Sequence, residues 1–213
     1  YDRFGAQIER NIYENGQGVI VFNNTVTNIG KMVFYNCSTL TSIIIPKTVQ
    51  EIGKNAFNQC NNLSEVVLQE GLKTIGHASF SNCTSLTNII VPNSVTMIDV
   101  QAFANCTTLS NVTIGSSVQS IGESAFLRSS AISTITCLAE IAPYVGEYAF
   151  YEVSKMIPIY VPCGAVSTYQ VAYGWNQFYN IQEPLSKFTI TTLTNDENRG
   201  QVFVDKNTAC DNA

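Results

Sequence analysis

Four cysteines, Cys37, Cys60, Cys83 and Cys106, stand 23 residues apart each time. The same period carries Phe34, Phe57, Phe80, Phe103 and Phe126, and, five residues before each of these, Ile29, Ile52, Ile75, Ile98 and Ile121. Leu40, Leu63, Leu86 and Leu109 continue it, with Ile132 in the next slot. No other property constrains the fold as strongly. A unit of 23 residues is too small to bury its own apolar face, so successive units must stack and share one core.

In register the unit reads L-x-x-I-x-I-P-x-x-V-x-x-I-G-x-x-A-F-x-x-C-x-x. Its L-x-x-I-x-I segment alternates at period two, which predicts a strand with Ile43/Ile45, Val66/Leu68, Ile89/Val91 and Val112/Ile114 facing inward. Pro46 and Pro92 end that strand by removing a ladder donor, and Gln69 and Gly115 hold the slot elsewhere. Val49, Leu72, Val95 and Val118, followed by the Ile column, predict a second, shorter inward-facing stretch. Gly30, Gly53, Gly76 and Gly122 then read as turns with φ > 0, with Asp99 tolerating the same conformation. The fold expected is a short, mainly β solenoid of about six units, counting an incomplete first and a degenerate last.

Exposed solenoid ends need caps. Residues 7–13 and Val19–Phe22 flank Glu14-Asn15-Gly16 and predict an N-terminal hairpin. After Phe126 the pattern loosens: Ser129 stands in the Cys column, Ala142-Pro143 interrupts, and Tyr148-Ala149-Phe150 restores the Ala-Phe pair one residue late. Ile159–Pro162 reads as a last strand. Ser167 or Thr168 then caps a short helix with Tyr169, Ala172 and Tyr173 on one face, and Trp175 and Phe178 seal the stack. Residues 184–213 alternate around the turn Asn195–Gly200 and read as a hairpin opening a further module cut off at Ala213. The chain therefore divides into a capped solenoid, 1–183, and a tail, 184–213. Tyr1 begins it without a methionine or an apolar leader, the pattern of a processed or excised chain.

The stretches 45–63 (IPKTVQEIGKNAFNQCNNL) and 91–109 (VPNSVTMIDVQAFANCTTL) resemble the BspA-type leucine-rich repeat family, whose Pro, Gly, Ala-Phe and Cys columns they fill. The segment 159–178 is similar to the closing segment of Bacteroides members, and the resemblance covers roughly residues 16–183. It implies a right-handed leucine-rich-repeat-type solenoid and a surface or secreted bacterial protein that works by adhesion or ligand binding. It assigns no catalytic residue. Because this unit lacks the Asn or Cys that ordinarily follows a leucine-rich-repeat strand, a horseshoe backed by helices is not implied.

Composition narrows the function from another side. Eleven Lys+Arg against 16 Asp+Glu give a net charge of -5, and no basic cluster marks a nucleic-acid footprint. Charged residues make up 13% of the chain, where about 25% is ordinary, so the faces of the solenoid are mostly uncharged. No apolar run reaches the roughly 18 residues of a membrane span. His77, the one histidine, follows Gly76 in a variable column and reads as a solvated residue rather than a catalytic one. There is no C-x-x-C metal pair and no phosphate-binding glycine loop, and Asp196, Glu197 and Asp205 fit no calcium loop. No enzyme activity, cofactor or metal is expected.

Adjacent cysteines of the ladder are close enough for disulfides by strand spacing. Their side chains point in parallel, however, which favours free buried thiols, with Cys137 as a further member. Whether Cys163 reaches Cys137 is open, and Cys210 falls in the tail. Asn36, Asn82 and Asn105 match the glycosylation sequon because the repeat recurs.

One outward feature remains. The strand position facing away from the core reads Val21, Ile44, Val67, Ile90, Thr113 and Thr136, bordered by Ser42, Glu65, Asn88, Asn111 and Thr134. An apolar stripe of this kind has three readings: a binding face, plain β-propensity, or a surface for self-association. The function expected is a non-catalytic surface or secreted module that binds an extracellular protein or glycan. The alternative is a spacer that presents other modules.

Overall fold

The computed structural model describes residues 4–14, 17–184, 189–193 and 201–205. The alternating segments on either side of Asn15-Gly16 pair as an antiparallel hairpin, β1 (Ile8–Glu14) with β2 (Gln17–Phe22). The chain then climbs in rungs, each a two-residue strand followed by a longer one. In order these are β3 (Asn28–Ile29) and β4 (Ser42–Ile45), β5 (Glu51–Ile52) and β6 (Glu65–Leu68), β7 (Thr74–Ile75) and β8 (Asn88–Ile90). They continue as β9 (Met97–Ile98) and β10 (Asn111–Ile114), β11 (Ser120–Ile121) and β12 (Thr134–Cys137), β13 (Tyr144–Val145) and β14 (Pro158–Tyr160). A one-turn helix, α1 (Val166–Val171), and β15 (Asn180–Gln182) close the stack. Past it, β16 (Thr189–Leu193) pairs antiparallel with β17 (Gln201–Asp205). The turn Asn195–Gly200, with Asp196 and Glu197, and Cys210 lie outside the described residues.

All strand pairs between rungs are parallel, and the register advances by one repeat at each step: Ile52 lies beside Ile29 and Ile75, and Val112 beside Ile89 and Ile135. The short strands make one unbroken six-stranded sheet. The longer ones form two sheets, β4-β6 and β8-β10-β12-β14-β15.

A third face, carrying the Ala-Phe segments, is neither strand nor helix. Alternate N–H groups there point forward to the next rung, as in Phe34 N–H to Ala56 O (2.8 Å), Phe57 to Ser79 (2.7 Å) and Phe80 to Ala102 (2.8 Å). Other N–H groups turn back three residues within the same rung, as in Cys60 to Phe57 (3.2 Å). This path needs two left-handed residues per rung. The first column is Met32, Asn55, Ala78, Gln101, Ser124 and Tyr148, and the second is Asn36, Gln59, Asn82, Asn105, Arg128 and Glu152, with φ between 50° and 65°. The asparagines of the sequons therefore sit where Asn relieves left-handed strain.

The glycine column differs from expectation. Neither Gly30, Gly53, Gly76 and Gly122 nor Asp99 has positive φ. Glycine is there for room: a Cβ on Gly76 would lie 2.4 Å from the Ile52 carbonyl oxygen of the rung below, and one on Gly122 2.4 Å from the Val100 nitrogen.

Inside, Phe34, Phe57, Phe80, Phe103, Phe126 and Phe150 form one column of near-parallel rings, with centroids 5.1, 5.1, 5.4, 5.3 and 5.6 Å apart. The rung rise of about 4.8 Å sets that spacing, and a slight offset keeps the rings' negative faces from direct overlap. Beside the rings the cysteines are free thiols: Cys37 is half-buried, and Cys60, Cys83, Cys106 and Cys137 are buried. Cys60, Cys83 and Cys106 donate to the Phe34, Phe57 and Phe80 carbonyls of the preceding rung at 3.0, 3.3 and 3.2 Å. Ser129, in the same column, does so to Phe103 at 2.8 Å. The column thus selects a small side chain with one donor. Burial pushes the Cys60 thiol up to about 11 and Cys106 up to about 12, and raises Cys83 and Cys137 as well.

The cap corrects the sequence reading in two places. Neither Ser167 nor Thr168 caps α1; its N-cap is Ala165 without a side-chain bond, and the Thr168 hydroxyl donates back to the Ala165 carbonyl (2.7 Å). The helix leaves a turn closed by the Ala165 N–H on the Pro162 carbonyl, with Gly164 left-handed, so no Ser or Thr sits at the entry. Tyr173 points into solvent (63% exposed), whereas Tyr169 and Trp175 are fully buried and Phe178 nearly so. Tyr169 Oη donates to the Ala139 carbonyl (2.7 Å) and Trp175 Nε1 to the Pro143 carbonyl (2.9 Å). Both acceptors lie in the loop Leu138–Pro143, where the period lengthens by one residue, so the cap serves the carbonyls that the irregular loop leaves without a ladder partner. Cys163 is disulfide-bonded while Cys137 is a free thiol, and the two do not pair.

Three outcomes follow for stability. Gly76→Ala, a neutral change at most non-left-handed positions, will destabilise the fold by roughly 1–3 kcal/mol in urea unfolding, because the rung below must shift. Ser79→Ala will stabilise it by about 1 kcal/mol or more: Ser79 Oγ is buried with no hydrogen-bond partner among the described residues, in a column where Ala56, Ala102 and Ala125 carry none. Cys60, Cys83, Cys106 and Cys137 will resist a thiol reagent until the chain unfolds. Because their folded-state values lie above the ordinary 9.0, unfolding releases protons in alkali, and stability will decline from about pH 9 towards 12.

Candidate functional site

The longer strands alternate strictly, burying Ile45, Val66, Leu68, Ile89, Val112 and Ile114 and turning the residues between them outward. That places Ile44, Val67 and Ile90 on the surface at 63%, 37% and 67% exposure. Register sets Ile44 beside Val67, Ile90 beside Thr113, and Thr113 beside Thr136. Thr113 and Thr136 are half-buried, so the exposed apolar part of the row spans three rungs. Val21 belongs instead to the antiparallel hairpin, opposite Arg10, and continues the row in sequence but not in the ladder.

The sheet break falls within this row. No ladder joins β6 to β8, and a crevice of about 520 Å³ runs between them. Glu65 and Val67 line one side, Asn88 and Ile90 the other, with Ser64 and Thr87 also in its wall. The polar border is cross-linked: Asn111 Nδ2 donates to Asn88 Oδ1 (2.7 Å), and Asn88 Nδ2 to Thr87 Oγ1 (3.0 Å). Ser64 and Ser110 hydroxyls bond carbonyls of the rungs before them, Thr41 at 3.1 Å and Thr87 at 3.0 Å. Around the crevice, therefore, side chains are pre-set, two β-branched apolar groups face solvent, and Glu65 is the one charge in its lining.

Elsewhere little chemistry gathers. His77 is half-buried on the Ala-Phe face, where its carbonyl accepts the Asn55 N–H (2.8 Å). Among the described residues, no group of three or more His, Cys, Asp or Glu side chains is placed to hold a metal ion, and no helix is long and apolar enough to cross a membrane. The thiols point into the core with raised affinity for their protons, the opposite of an activated nucleophile. The ladder residues Cys37, Cys60, Cys83, Cys106 and the phenylalanines are structural in their contacts. What the sequence reading missed is the crevice, which depends on a pairing that no residue pattern announces, and a set of exposed tyrosines in the last rung and cap. Tyr148, Tyr151 and Tyr173 are 62%, 51% and 63% exposed.

Sequence comparison matches the family described as BspA type leucine rich repeat region, in six copies over residues 7–133 and 79–206. No curated protein sequence matches the chain. Among solved structures, it is similar to a leucine rich repeat protein of T. pallidum, 25% identical with a TM-score of 0.52, over 59% of this chain and 64% of that one. It is also similar to a leucine rich cell surface protein from Faecalibacterium prausnitzii A2-165, 30% identical with a TM-score of 0.50, over 72% of this chain and 46% of that one. The pneumococcal vaccine antigen PcpA shares the fold, at 18% identity and a TM-score of 0.59, over 81% of this chain and 49% of its own. The chain thus spans less than two thirds of the length of each of these proteins. The repeat columns, the parallel rungs and the six-copy match agree: this chain belongs to the BspA-type leucine-rich repeat family.

Proposed function

We propose that the chain is a non-catalytic binding module working at the cell surface or outside the cell, and that it engages a protein or glycan through the repeat face centred on Val67 and Ile90. The observation that carries this reading is the exposed row Ile44, Val67 and Ile90 on rungs whose every other apolar strand residue is buried or half-buried. β-propensity alone accounts for branched residues on a strand. It does not account for an apolar row beside a crevice bordered by cross-linked amides. Rungs locked by ladder and ring contacts present this face with little ordering cost on binding. The description of the Faecalibacterium relative as a cell surface protein supports the location.

A spacer that presents other modules would need only the rigid stack and would be indifferent to charge on the row. Surface plasmon resonance against immobilised extracellular-matrix proteins and mucin separates the two. Val67→Glu/Ile90→Glu is expected to weaken saturable binding at least about tenfold, with the melting temperature within a few degrees of the parent because both positions are solvent-facing. Equal binding by both forms would remove the row from the site. A parent that self-associates in sedimentation, with a monomeric double variant, would reassign the row to pairing between copies.

A further inference from the structure

The last complete rung differs from the others at its left-handed positions. The first such column holds Met32, Asn55, Ala78, Gln101 and Ser124, and ends with Tyr148 at φ 56°. The second ends with Glu152 at φ 65°. A bulky aromatic residue held left-handed costs on the order of 1 kcal/mol or more, and such strain concentrates at functional sites. The strained pair stands at the mouth of a groove of about 490 Å³ between the last rung and the cap turn. Tyr148, Tyr151 and Tyr173 line it, over a floor that includes Ala149, Phe150 and Val153. The Tyr148 and Tyr151 rings meet edge-on at 6.2 Å, so their faces look in different directions.

The polar groups of the groove are of opposite hydrogen-bonding kind. Glu152 offers carboxylate acceptors and is braced by Arg128 at 3.4 Å. Lys155 offers ammonium donors; it is half-buried, donates one proton to the Phe150 carbonyl, and lies 5.1 Å from the centre of the Phe178 ring. Asn176, exposed on the cap side, offers both. A ligand that suits this set must present an apolar C–H face to tyrosine rings and must donate and accept along its edge. A pyranose does both: its axial C–H bonds pack on the negative face of an aromatic ring, and each hydroxyl is donor and acceptor together. A proline-rich peptide, the other common occupant of an aromatic groove, offers carbonyls but no N–H at its prolines, and would leave Glu152 without a donor.

We propose that the groove between the last rung and the C-terminal cap is a saccharide-binding site, with sugar rings stacked on Tyr148 and Tyr173 and hydroxyls shared between Glu152, Lys155 and Asn176. The site is separate from the Val67/Ile90 row and does not depend on that reading. A floor of fully packed core residues keeps it formed without ligand.

The test titrates the chain with cellotetraose, xylotetraose, chitotetraose and N-acetyllactosamine at millimolar concentration, by calorimetry and saturation-transfer NMR. Saturable binding of at least one is expected. Tyr148→Asn should weaken it at least about tenfold; it removes the ring while supplying the residue that Asn55 shows is at home left-handed, so the fold is retained or gains stability. Tyr173→Ala, at an exposed position, should do the same, Tyr173→Phe should keep most of the affinity, and Val67→Glu/Ile90→Glu should leave it unchanged. Binding to none of the four sugars overturns the proposal, as does sugar binding that survives both Tyr148→Asn and Tyr173→Ala. Binding of a proline-rich decapeptide in the groove with no sugar bound also overturns it.

Discussion

Each core phenylalanine is covered above and below only by the ring of a neighbouring rung. The column from Phe34 to Phe150, with every step near 5 Å and nearly parallel, means that no rung has a complete core of its own. Cooperation between neighbours is therefore obligatory, and the ends of the column must be closed. Phe4 meets Phe34 edge-on at one end, while Trp175 and Phe178 cover Phe150 at the other. Everything else in the molecule conforms to the same rise. The thiols reach carbonyls one rung back, the short strands pair in exact-length steps, and glycine stands where two backbones pass too close for a Cβ.

That economy leaves the outward positions unconstrained by packing, and they are where the chain departs from monotony. On the strand face the row turns from threonine to exposed Val67 and Ile90 just where the ladder is interrupted. On the Ala-Phe face the left-handed columns turn from asparagine, glutamine and serine to Tyr148 and Glu152 at the last rung. A rigid stack with variable outer columns suits recognition, because the backbone needs no reordering when a ligand arrives and each column varies without cost to the core. The two faces offer different chemistry: one flat, apolar and lightly charged, the other aromatic with paired donors and acceptors.

The irregular loop Leu138–Pro143 shows how the stack is ended. One added residue breaks the regular period, and the carbonyls it displaces are taken by the hydroxyl of Tyr169 and the indole of Trp175. Those side chains also complete the aromatic column. The insertion and the cap are thus one device, and the same device opens the groove beneath Tyr173, since the cap turn must stand away from the last rung to seat its tryptophan.

The sequence by itself determined the repeat, the inward columns, both caps and the family, because a period of 23 residues with fixed Leu, Ile, Phe and Cys columns admits one way of burying them. The free thiols were legible too, from the parallel direction of ladder side chains. What the columns could not convey was backbone detail. The glycines were read as left-handed when the left-handed residues stand two and six positions further on, since a composition column records that a Cβ is excluded and not whether torsion or a neighbour excludes it. The break between β6 and β8, the half-burial of Thr113 and the tyrosine groove were decided only by tertiary structure. They depend on how far apart two rungs settle and where a cap turn comes to rest, and those distances are set by all the packed side chains together.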